Sequence, residues 1–248
     1  MVAKPGRPEA EARARAAELE ARHGGLAPMA VVEKAARALF AGEIAAVSSF
    51  GADSAVLLHM LAAVDPAVPV LFLDTGKHFS ETIAYRDLLA DDLGVADLRV
   101  ITPRDDLLAA GDPDGTLHRR DTDACCDIRK VEPMARAVAP FAAWLTGRKR
   151  FQASSRAGLP VFEAVGTRIR INPLASWTTH DLAAYMRANG LRENPLTAYG
   201  YLSIGCFPCT QPVKPGEDAR SGRWAGSAKT ECGIHLPGMS AAAPRIRG

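Results

Sequence analysis

The chain has 248 residues, of which 48% are hydrophobic, and its formal net charge at pH 7 is +2. A chain of this length can bury a substantial core, and a single α/β domain is the expected arrangement. The small net charge gives no reason to expect nucleic-acid or membrane binding, and no run of about 18 apolar residues predicts a membrane span. Residues 1–25 lack the apolar core of a signal peptide, so we expect a cytoplasmic protein with reduced thiols.

Short apolar strands alternate with helical patterns along most of the chain. In chain order, the first half of the chain predicts a helix over 9–22, a strand over 44–49, a helix over 54–63, a strand over 68–73, a helix over 80–93 capped by Ser80, and a strand over 98–101. The second half predicts a helix over 128–138 despite Pro133, and strands over 141–145 and 168–172. A last helix is capped by Thr178 or Thr179 and ends near residue 189. This alternation predicts a mostly parallel open sheet with helices on both faces.

The amino-acid sequence predicts one domain with three segments. Residues 1–25 form an N-terminal helical extension, residues 26–191 a nucleotide-binding α/β region, and residues 192–248 an irregular C-terminal segment rich in Gly, Pro and charge. The charged surface of the first helix is expected to face solvent, and a homo-oligomer that packs on it is the alternative. Residues 237–248 are expected to be disordered.

A turn with phosphate-binding chemistry follows the first predicted strand. Its sequence is Ser49-Phe-Gly-Ala-Asp-Ser54, without the Gly-Lys-Ser/Thr ending of a Walker A loop. Gly51 lets the backbone approach an anion, while the serines and the amides of the following helix can donate to phosphate oxygens. The turn resembles the Ser-x-Gly-x-Asp-Ser phosphate loop of adenine-nucleotide α-hydrolase-like enzymes, and an ordinary strand-to-helix turn is the alternative. The residues expected to bind a nucleotide are Ser49, Gly51, Asp53 and Ser54, with Asp74 and Thr75 at the end of the next strand.

The five cysteines are the other chemical signal. Four form two close pairs, Cys125-Cys126 and Cys206-x-x-Cys209, and Cys232 stands apart. An odd number of cysteines in a reducing compartment favours metal ligation or catalysis over a disulfide framework. The open alternatives are an iron–sulfur cluster, a structural zinc site and a redox pair of Cys206 and Cys209. The adjacent pair suits a cluster better than one zinc ion, because neighbouring thiolates can bind different irons.

Six motifs in this order resemble one family. They are Leu73-Asp-Thr-Gly-x-x-Phe-x-Glu-Thr-x-x-Tyr-Arg86, Cys125-Cys-Asp-Ile-Arg-Lys130, Trp144-Leu-Thr-Gly-Arg-Lys-Arg-Phe-Gln152, Gly205-Cys-Phe-Pro-Cys209, Gly216-Glu-Asp-x-Arg-x-Gly-Arg-Trp224 and Glu231-Cys-Gly-Ile-His235. Over residues 44–236 the chain thereby resembles the assimilatory adenylyl-sulfate (APS) reductases of the APS/PAPS reductase family, in their iron–sulfur form.

The resemblance implies a function and a set of roles. It implies thioredoxin-dependent reduction of adenosine 5′-phosphosulfate to sulfite and AMP, with Cys232 as the nucleophile on a C-terminal lid and an S-sulfocysteine intermediate. Thioredoxin or a similar dithiol protein is the implied reductant. A [4Fe-4S] cluster would be bound by Cys125, Cys126, Cys206 and Cys209, with Lys130 beside it. The basic residues expected to offset the charge of the substrate, or else to be solvated, are Arg148, Lys149, Arg150, Arg220, Arg223 and His235.

Two other functions remain open from the sequence. A 3′-phosphoadenylyl-sulfate (PAPS) reductase, or an enzyme that uses both substrates, would share the fold and the nucleophile, although the four paired cysteines favour the unphosphorylated substrate. A zinc-stabilised, ATP-using adenylating enzyme is the distant alternative. Phe50 stands where ATP-using relatives have a glycine, which leaves less room for a pyrophosphate and disfavours that alternative.

Overall fold

Six strands and nine helices make up the part of the chain that the computed structural model describes, residues 6–225, 229 and 232–235. The strands are β1 (Ile44–Val47), β2 (Val70–Leu73), β3 (Leu98–Ile101), β4 (Ala143–Thr146), β5 (Phe162–Val165) and β6 (Arg168–Ile171). The helices are α1 (Arg7–His23), α2 (Pro28–Lys34), α3 (Ser54–Val64), α4 (Ser80–Asp92), α5 (Asp105–Gly111), α6 (Leu117–Arg120), α7 (Thr122–Cys126), α8 (Glu132–Val138) and α9 (Thr179–Ala188). π-Helical turns follow α2 (Ala35–Leu39) and α7 (Asp127–Val131), and short 3₁₀ turns occur at Arg150–Gln152, Ser154–Arg156, Pro195–Tyr199, Phe207–Cys209 and Gly233–His235.

The strands form one sheet in the order β3-β2-β1-β4-β6-β5. All neighbours are parallel except the β5–β6 hairpin. Strands β2 and β3 lie on one side of β1, and β4 lies on its other side. The strand order therefore reverses between β1 and β4, and ligands of open α/β sheets bind at the carboxyl ends of the strands beside such a point. The predicted single α/β domain with a mostly parallel sheet is confirmed.

Alternate residues of the central strands point into two separate cores. In β1, Ile44 and Ala46 pack in the larger core with α3, whereas Ala45 packs in the smaller core with Met134 of α8. In β4, Trp144 joins Ala45 in the smaller core. Because both faces of the sheet are covered, these strands are continuous apolar runs in the sequence, which is why they were predictable.

Helix α1 packs along β5 of the same chain through one face. Ala12, Ala16 and Leu19 are buried, and the backbone N–H of Phe162 donates to Glu20 Oε2 at 2.8 Å. Most charged side chains of α1 lie on its other face and are exposed, as expected for its charged surface. None of the helices in the described ranges is long and apolar enough to cross a membrane. The segment 237–248, predicted to be disordered, lies outside the described residues.

The predicted cap of α9 agrees with the structure, whereas that of α4 does not. Thr178 caps α9 as predicted, because its Oγ1 accepts from the Asp181 N–H at 3.2 Å. Ser80 is not a cap: it is the first residue of α4, after Phe79, and its hydroxyl donates to Glu81 Oε2 at 3.1 Å. Pro133 is tolerated because it lies in the first turn of α8, where its missing N–H is not needed.

Candidate active site

A cavity of about 550 Å³ opens at the carboxyl ends of β1 and β4. Its volume lies within the range typical of small-molecule sites. The cavity wall contains apolar side chains of α3 and α9 and polar groups of the loops that follow the strands. The sequence-predicted residues in this wall are Ser49, Gly51, Asp53, Ser54, Lys130, Arg148, Arg220, Arg223 and Cys232. The structure thus brings the phosphate loop, three arginines and the isolated cysteine to one cavity.

The loop after β1 is held in a fixed shape. Phe50 has a positive φ of 49°, which is uncommon for a bulky residue, and its fully buried ring packs edge-on against Phe72 at 5.6 Å between centroids. Its carbonyl accepts from Asn194 Nδ2 at 2.9 Å, and the Gly51 N–H donates to Ser54 Oγ at 2.8 Å. These contacts hold the loop in one shape.

Lys149 and Arg150 do not reach the cavity, although their basic run suggested that they would. The Lys149 side chain has no exposed surface, and its ammonium forms an ion pair with Asp53 beneath the phosphate loop. The Arg150 Nε donates to the carbonyl of Leu159 at 2.9 Å. Of this run, only Arg148 lines the cavity. Lys149 therefore supports the loop from behind.

The Asp53–Lys149 pair should respond asymmetrically to substitution. Asp53→Asn leaves a fully buried ammonium without its counter-ion and should lower the free energy of unfolding by about 3 kcal/mol. Lys149→Met keeps the apolar stem, and the remaining Asp53 carboxylate is 34% exposed and can hydrate, so we expect a cost of about 1 kcal/mol. Urea unfolding of both variants measures the difference. An equal or larger cost for Lys149→Met would contradict this view of the pair.

Asp74 and Thr75 lie apart from the nucleotide cavity. Asp74 Oδ1 accepts from the Gly76 N–H at 2.9 Å and so shapes the turn after β2. Thr75 is fully buried; its Oγ1 lies 3.3 Å from Cys206 Sγ, and its carbonyl accepts from Arg129 Nη1 at 2.8 Å. The structure therefore groups Thr75 with the paired cysteines.

The four paired cysteines line a second, smaller cavity next to the first. Cys125 and Cys126 end α7, which begins at a cap where Asp121 accepts two backbone N–H groups, and a π-helical turn follows them. Such turns are frequent at functional sites. Cys206 and Cys209 flank the turn Phe207–Cys209 and reach the same space. The cations in its wall are Lys77, Arg129, Lys130 and Arg223.

This donor set fits an iron–sulfur cluster better than a single metal ion. Four thiolates are the usual ligands of such a cluster, and the surrounding cations can balance its negative charge. In the described ranges, no three His, Cys, Asp or Glu side chains are arranged to bind one ion. The adjacent Cys125 and Cys126 suit different irons of one cluster better than one ion. Without a metal, burial raises the pKa of Cys125 to about 11, so ligation there requires loss of a proton.

Cys232 lies where the two cavities meet. It is buried beside Cys126 and the indole of Trp224, and it also forms part of the nucleotide cavity wall. While Cys126 is a thiol, its hydrogen bond lowers the pKa of Cys232 well below the ordinary value and overcomes the opposing effect of burial. A Cys126 that binds a cluster has lost this proton, and the remaining groups then have to stabilise the thiolate. Lys130, the Ile234 N–H and Lys229 act in the same direction. The surroundings therefore favour a thiolate at Cys232.

The two C-terminal arginines stack on one aromatic ring. The guanidinium carbons of Arg223 and Arg220 lie 4.5 Å and 5.9 Å from the ring centroid of Trp224. Gly205 permits the position of Arg223, since a Cβ there would lie only 2.4 Å from Arg223 Nη2. His235 ends the turn Gly233–His235, and the description of the structure does not extend to its side chain.

Sequence reasoning missed Arg170 and Glu163. Arg170 of β6 lines the cavity with its side chain 3% exposed, and Glu163 of β5 is its partner. The sequence pattern that could have identified them is a two-residue hairpin turn. Val165 pairs with Arg168, and the connecting Gly166 has a positive φ of 58°. A hairpin assignment would have placed the acid and the base opposite each other.

Comparison with known proteins gives a consistent family. Residues 43–212 match the phosphoadenosine phosphosulfate reductase domain. A protein named adenosine 5′-phosphosulfate reductase from Mesorhizobium japonicum is 67% identical to this chain over 245 residues, which cover 96% of each chain. A protein of the same name from a Chelativorans species is 70% identical over 242 residues, which cover 97% of this chain and 98% of that one. A phosphoadenylyl-sulfate reductase structure from Candida auris, in a phosphate complex, superposes with a TM-score of 0.67 at 28% identity and covers 81% of this chain and 97% of that one. The chain therefore belongs to the APS/PAPS reductase family, as its motifs had implied.

Proposed function

We propose that this protein reduces adenosine 5′-phosphosulfate to sulfite and AMP in assimilatory sulfate reduction. The observation that carries the proposal is the position of Cys232, a thiol in an environment that favours the thiolate, on the wall of a nucleotide-sized cavity between a phosphate loop and four paired cysteines. The names of the 67% and 70% identical relatives support the same reaction.

The cavity offers complementary groups for each part of the substrate. The N-terminus of α3 suits the phosphate, and Gly51 lets it approach the loop closely. Arg148, Arg220 and Arg223 suit the sulfuryl oxygens, because guanidinium groups bind such oxygens in pairs. Apolar side chains of α3 and α9 in the cavity wall suit the adenine ring. This arrangement would hold the sulfur of the substrate toward Cys232.

In the first half-reaction, the Cys232 thiolate attacks the sulfur of the bound substrate. A sulfur–sulfur bond forms while the sulfur–oxygen bond to the phosphate breaks, and AMP leaves with the electron pair. The product on the enzyme is S-sulfocysteine. Arg148, Arg220 and Arg223 offset the charge that builds on the leaving phosphate and the sulfuryl oxygens, and Lys130 adds positive charge near the sulfur.

In the second half-reaction, an external dithiol protein, such as thioredoxin, reduces the adduct. One of its thiolates attacks Cys232 Sγ, sulfite leaves, and the second thiol resolves the mixed disulfide, so that the dithiol supplies both electrons. Because Cys232 is 6% exposed, its segment has to move outward as a lid before a protein can reach it. We place this chemistry in the cytosol, where reduced dithiols are available.

We further propose that Cys125, Cys126, Cys206 and Cys209 hold a [4Fe-4S] cluster. When bound, such a cluster supplies a fixed charge beside Lys130 and a cross-link between α7 and the turn Phe207–Cys209. Lys130 lines both cavities, so its ammonium can interact with the cysteine site and with the substrate. Burial opposes its charge, yet nearby Cys206, Cys232 and Cys126 raise the pKa of Lys130, which keeps it protonated.

The decisive experiment is an anaerobic assay of purified protein. We expect sulfite release from APS with thioredoxin, much slower release from PAPS, no consumption of ATP, and iron with visible absorption in the protein. Comparable rates with both sulfonucleotides would instead identify an enzyme of dual specificity. No sulfite from either substrate would overturn the proposal.

Gly205→Ala should weaken substrate binding without unfolding the protein. The atoms nearest to the added methyl group belong to the end of the flexible Arg223 side chain, which would leave its position in the cavity wall. Loss of one charge-assisted contact should raise KM for APS about tenfold. Gly158→Ala is the matched control, since a Cβ there meets nothing within 4 Å. Steady-state kinetics and thermal unfolding of both variants test this; an unchanged KM for Gly205→Ala would show that Arg223 does not contact the substrate.

A further inference from the structure

One carboxylate holds two arginines at the edge of the nucleotide cavity. Glu163 on β5 lies directly opposite Arg170 in the antiparallel register with β6. Its Oε1 accepts from Arg170 Nε at 2.8 Å and its Oε2 from Arg170 Nη2 at 3.0 Å. Oε1 also accepts from Arg148 Nη1 at 2.6 Å and from Asn172 Nδ2 at 2.7 Å. Three side chains from the ends of β4 and β6 thus converge on one acid.

The charges of this group leave it suited to an anion. Burial opposes ionisation of Glu163, but its hydrogen bond and proximity to Arg170 hold the pKa of the carboxyl below its usual range. The acid is therefore charged at neutral pH. Two guanidinium groups thus face one ionised carboxylate, and both arginines also belong to the cavity wall. Their side chains are only 10% and 3% exposed, so their positions depend on the carboxylate with which they pair.

The same group reaches the segment that carries the proposed nucleophile. Arg170 Nη1 donates to the carbonyl of Ile234, two residues after Cys232, at 3.3 Å. On the other side, Thr146 Oγ1 at the end of β4 donates to Asn172 Oδ1 at 2.6 Å. A displacement of Glu163 would therefore change both the anion-binding arginines and the anchor of the Cys232 segment.

We propose that Glu163 is a positioning residue: it orients Arg148 and Arg170 toward the sulfonucleotide anion and, through Arg170, fixes the segment that carries Cys232. This inference rests on the proposed function. Without the carboxylate, the two guanidinium groups repel each other, and each gains by turning toward water. The reacting groups then lose their alignment, although Glu163 itself does not line the cavity.

The test is a single-turnover measurement on the full chain with its metal site loaded. Glu163→Gln keeps the size of the side chain and removes its charge. Mass spectrometry measures how fast the sulfo adduct forms on Cys232 in the absence of a reductant. We expect Glu163→Gln to form this adduct about 10- to 100-fold more slowly, the size of effect that small misplacements of reacting groups produce. Glu132→Gln is the matched control, because Glu132 also pairs with an arginine, Arg136, but this arginine does not line the cavity. Its rate should stay unchanged.

A double-mutant cycle separates positioning from general stabilisation. If Glu163 acts through the arginines, Glu163→Gln should slow an Arg148→Gln, Arg170→Gln background by less than about twofold. If Glu163→Gln does not fold, Glu163→Asp takes its place, because it keeps the charge but is too short to reach both arginines. We expect Glu163→Asp to form the adduct about three- to tenfold more slowly than the unsubstituted protein. An unchanged adduct rate in the folded variant, or full additivity in the cycle, overturns the inference. Failure of the unsubstituted protein to form any adduct overturns the proposed function instead.

Discussion

Cys232→Ser should lower sulfite release from APS at least about a thousandfold, because a serine hydroxyl is a far weaker nucleophile than a thiolate. The surroundings of Cys232 cannot activate a hydroxyl in the same way, since they favour an anion only on a group that already ionises near neutral pH. The variant should also form no sulfo adduct when incubated with APS in the absence of a reductant. Mass spectrometry of the intact protein measures that adduct directly.

Binding is the control for this variant. Cys232 forms only a small part of the cavity wall, so AMP should bind Cys232→Ser with the affinity of the unsubstituted protein, as measured by calorimetry. Retained binding together with lost chemistry would locate the defect in the reacting sulfur. Sulfite release within tenfold of the unsubstituted rate would eliminate Cys232 as the nucleophile, and an adduct on another cysteine would identify the residue that replaces it in the mechanism.

The sheet and the shared cavity could be predicted from sequence because they follow from local patterns. Strands β1, β2 and β4 are covered on both faces and are therefore unbroken apolar runs. The loop Ser49–Ser54 and Arg148 both follow such strands, so parallel topology brings them to one edge of the sheet. The cysteine pairs were recognisable by spacing alone. These features need no knowledge of how distant side chains pack.

The predicted site residues that lie away from the cavity depend on long-range packing. Lys149 lies next to Arg148 in sequence, but it points into the protein toward Asp53, on another loop. Thr75 follows β2 as predicted, but Arg129, which is itself paired with Asp112, holds it toward Cys206 instead of the nucleotide cavity. A local pattern gives the strand end at which a side chain emerges, whereas its direction depends on partners far along the chain.

The short helices were missed for a different reason. In the described structure, α5 and α6 bury none of their residues, so they have no apolar periodicity to find. Yet α7 follows them directly and presents Cys125 and Cys126 to the smaller cavity. The segment that positions half of the predicted cluster ligands is therefore held mainly by caps, such as Asp121, and by the buried Arg129–Asp112 pair that follows the cysteines.

Cys206→Ser should remove iron from the protein, whereas Cys232→Ser should not. A serine oxygen is a hard ligand that binds cluster iron poorly, and a [4Fe-4S] cluster with three remaining thiolates is labile. Anaerobically purified Cys206→Ser should therefore contain much less iron than the roughly four atoms per chain of a full cluster, and it should lose visible absorption. The fold should survive, because serine can keep the hydrogen bond with Thr75 Oγ1.

The comparison of these two variants is informative because the residues are chemically identical and both are buried. Cys206 lines the smaller cavity and Cys232 lines the larger one, so the same substitution should separate metal content from chemistry. Sulfite release by Cys206→Ser should also fall, because α7 and the turn Phe207–Cys209 lose their cross-link and Lys130 loses the charge it faces. Full iron content in Cys206→Ser would show that the four sulfurs do not act as one ligand set. Iron loss in Cys232→Ser would instead assign the lone cysteine to the metal and leave the reaction without its nucleophile.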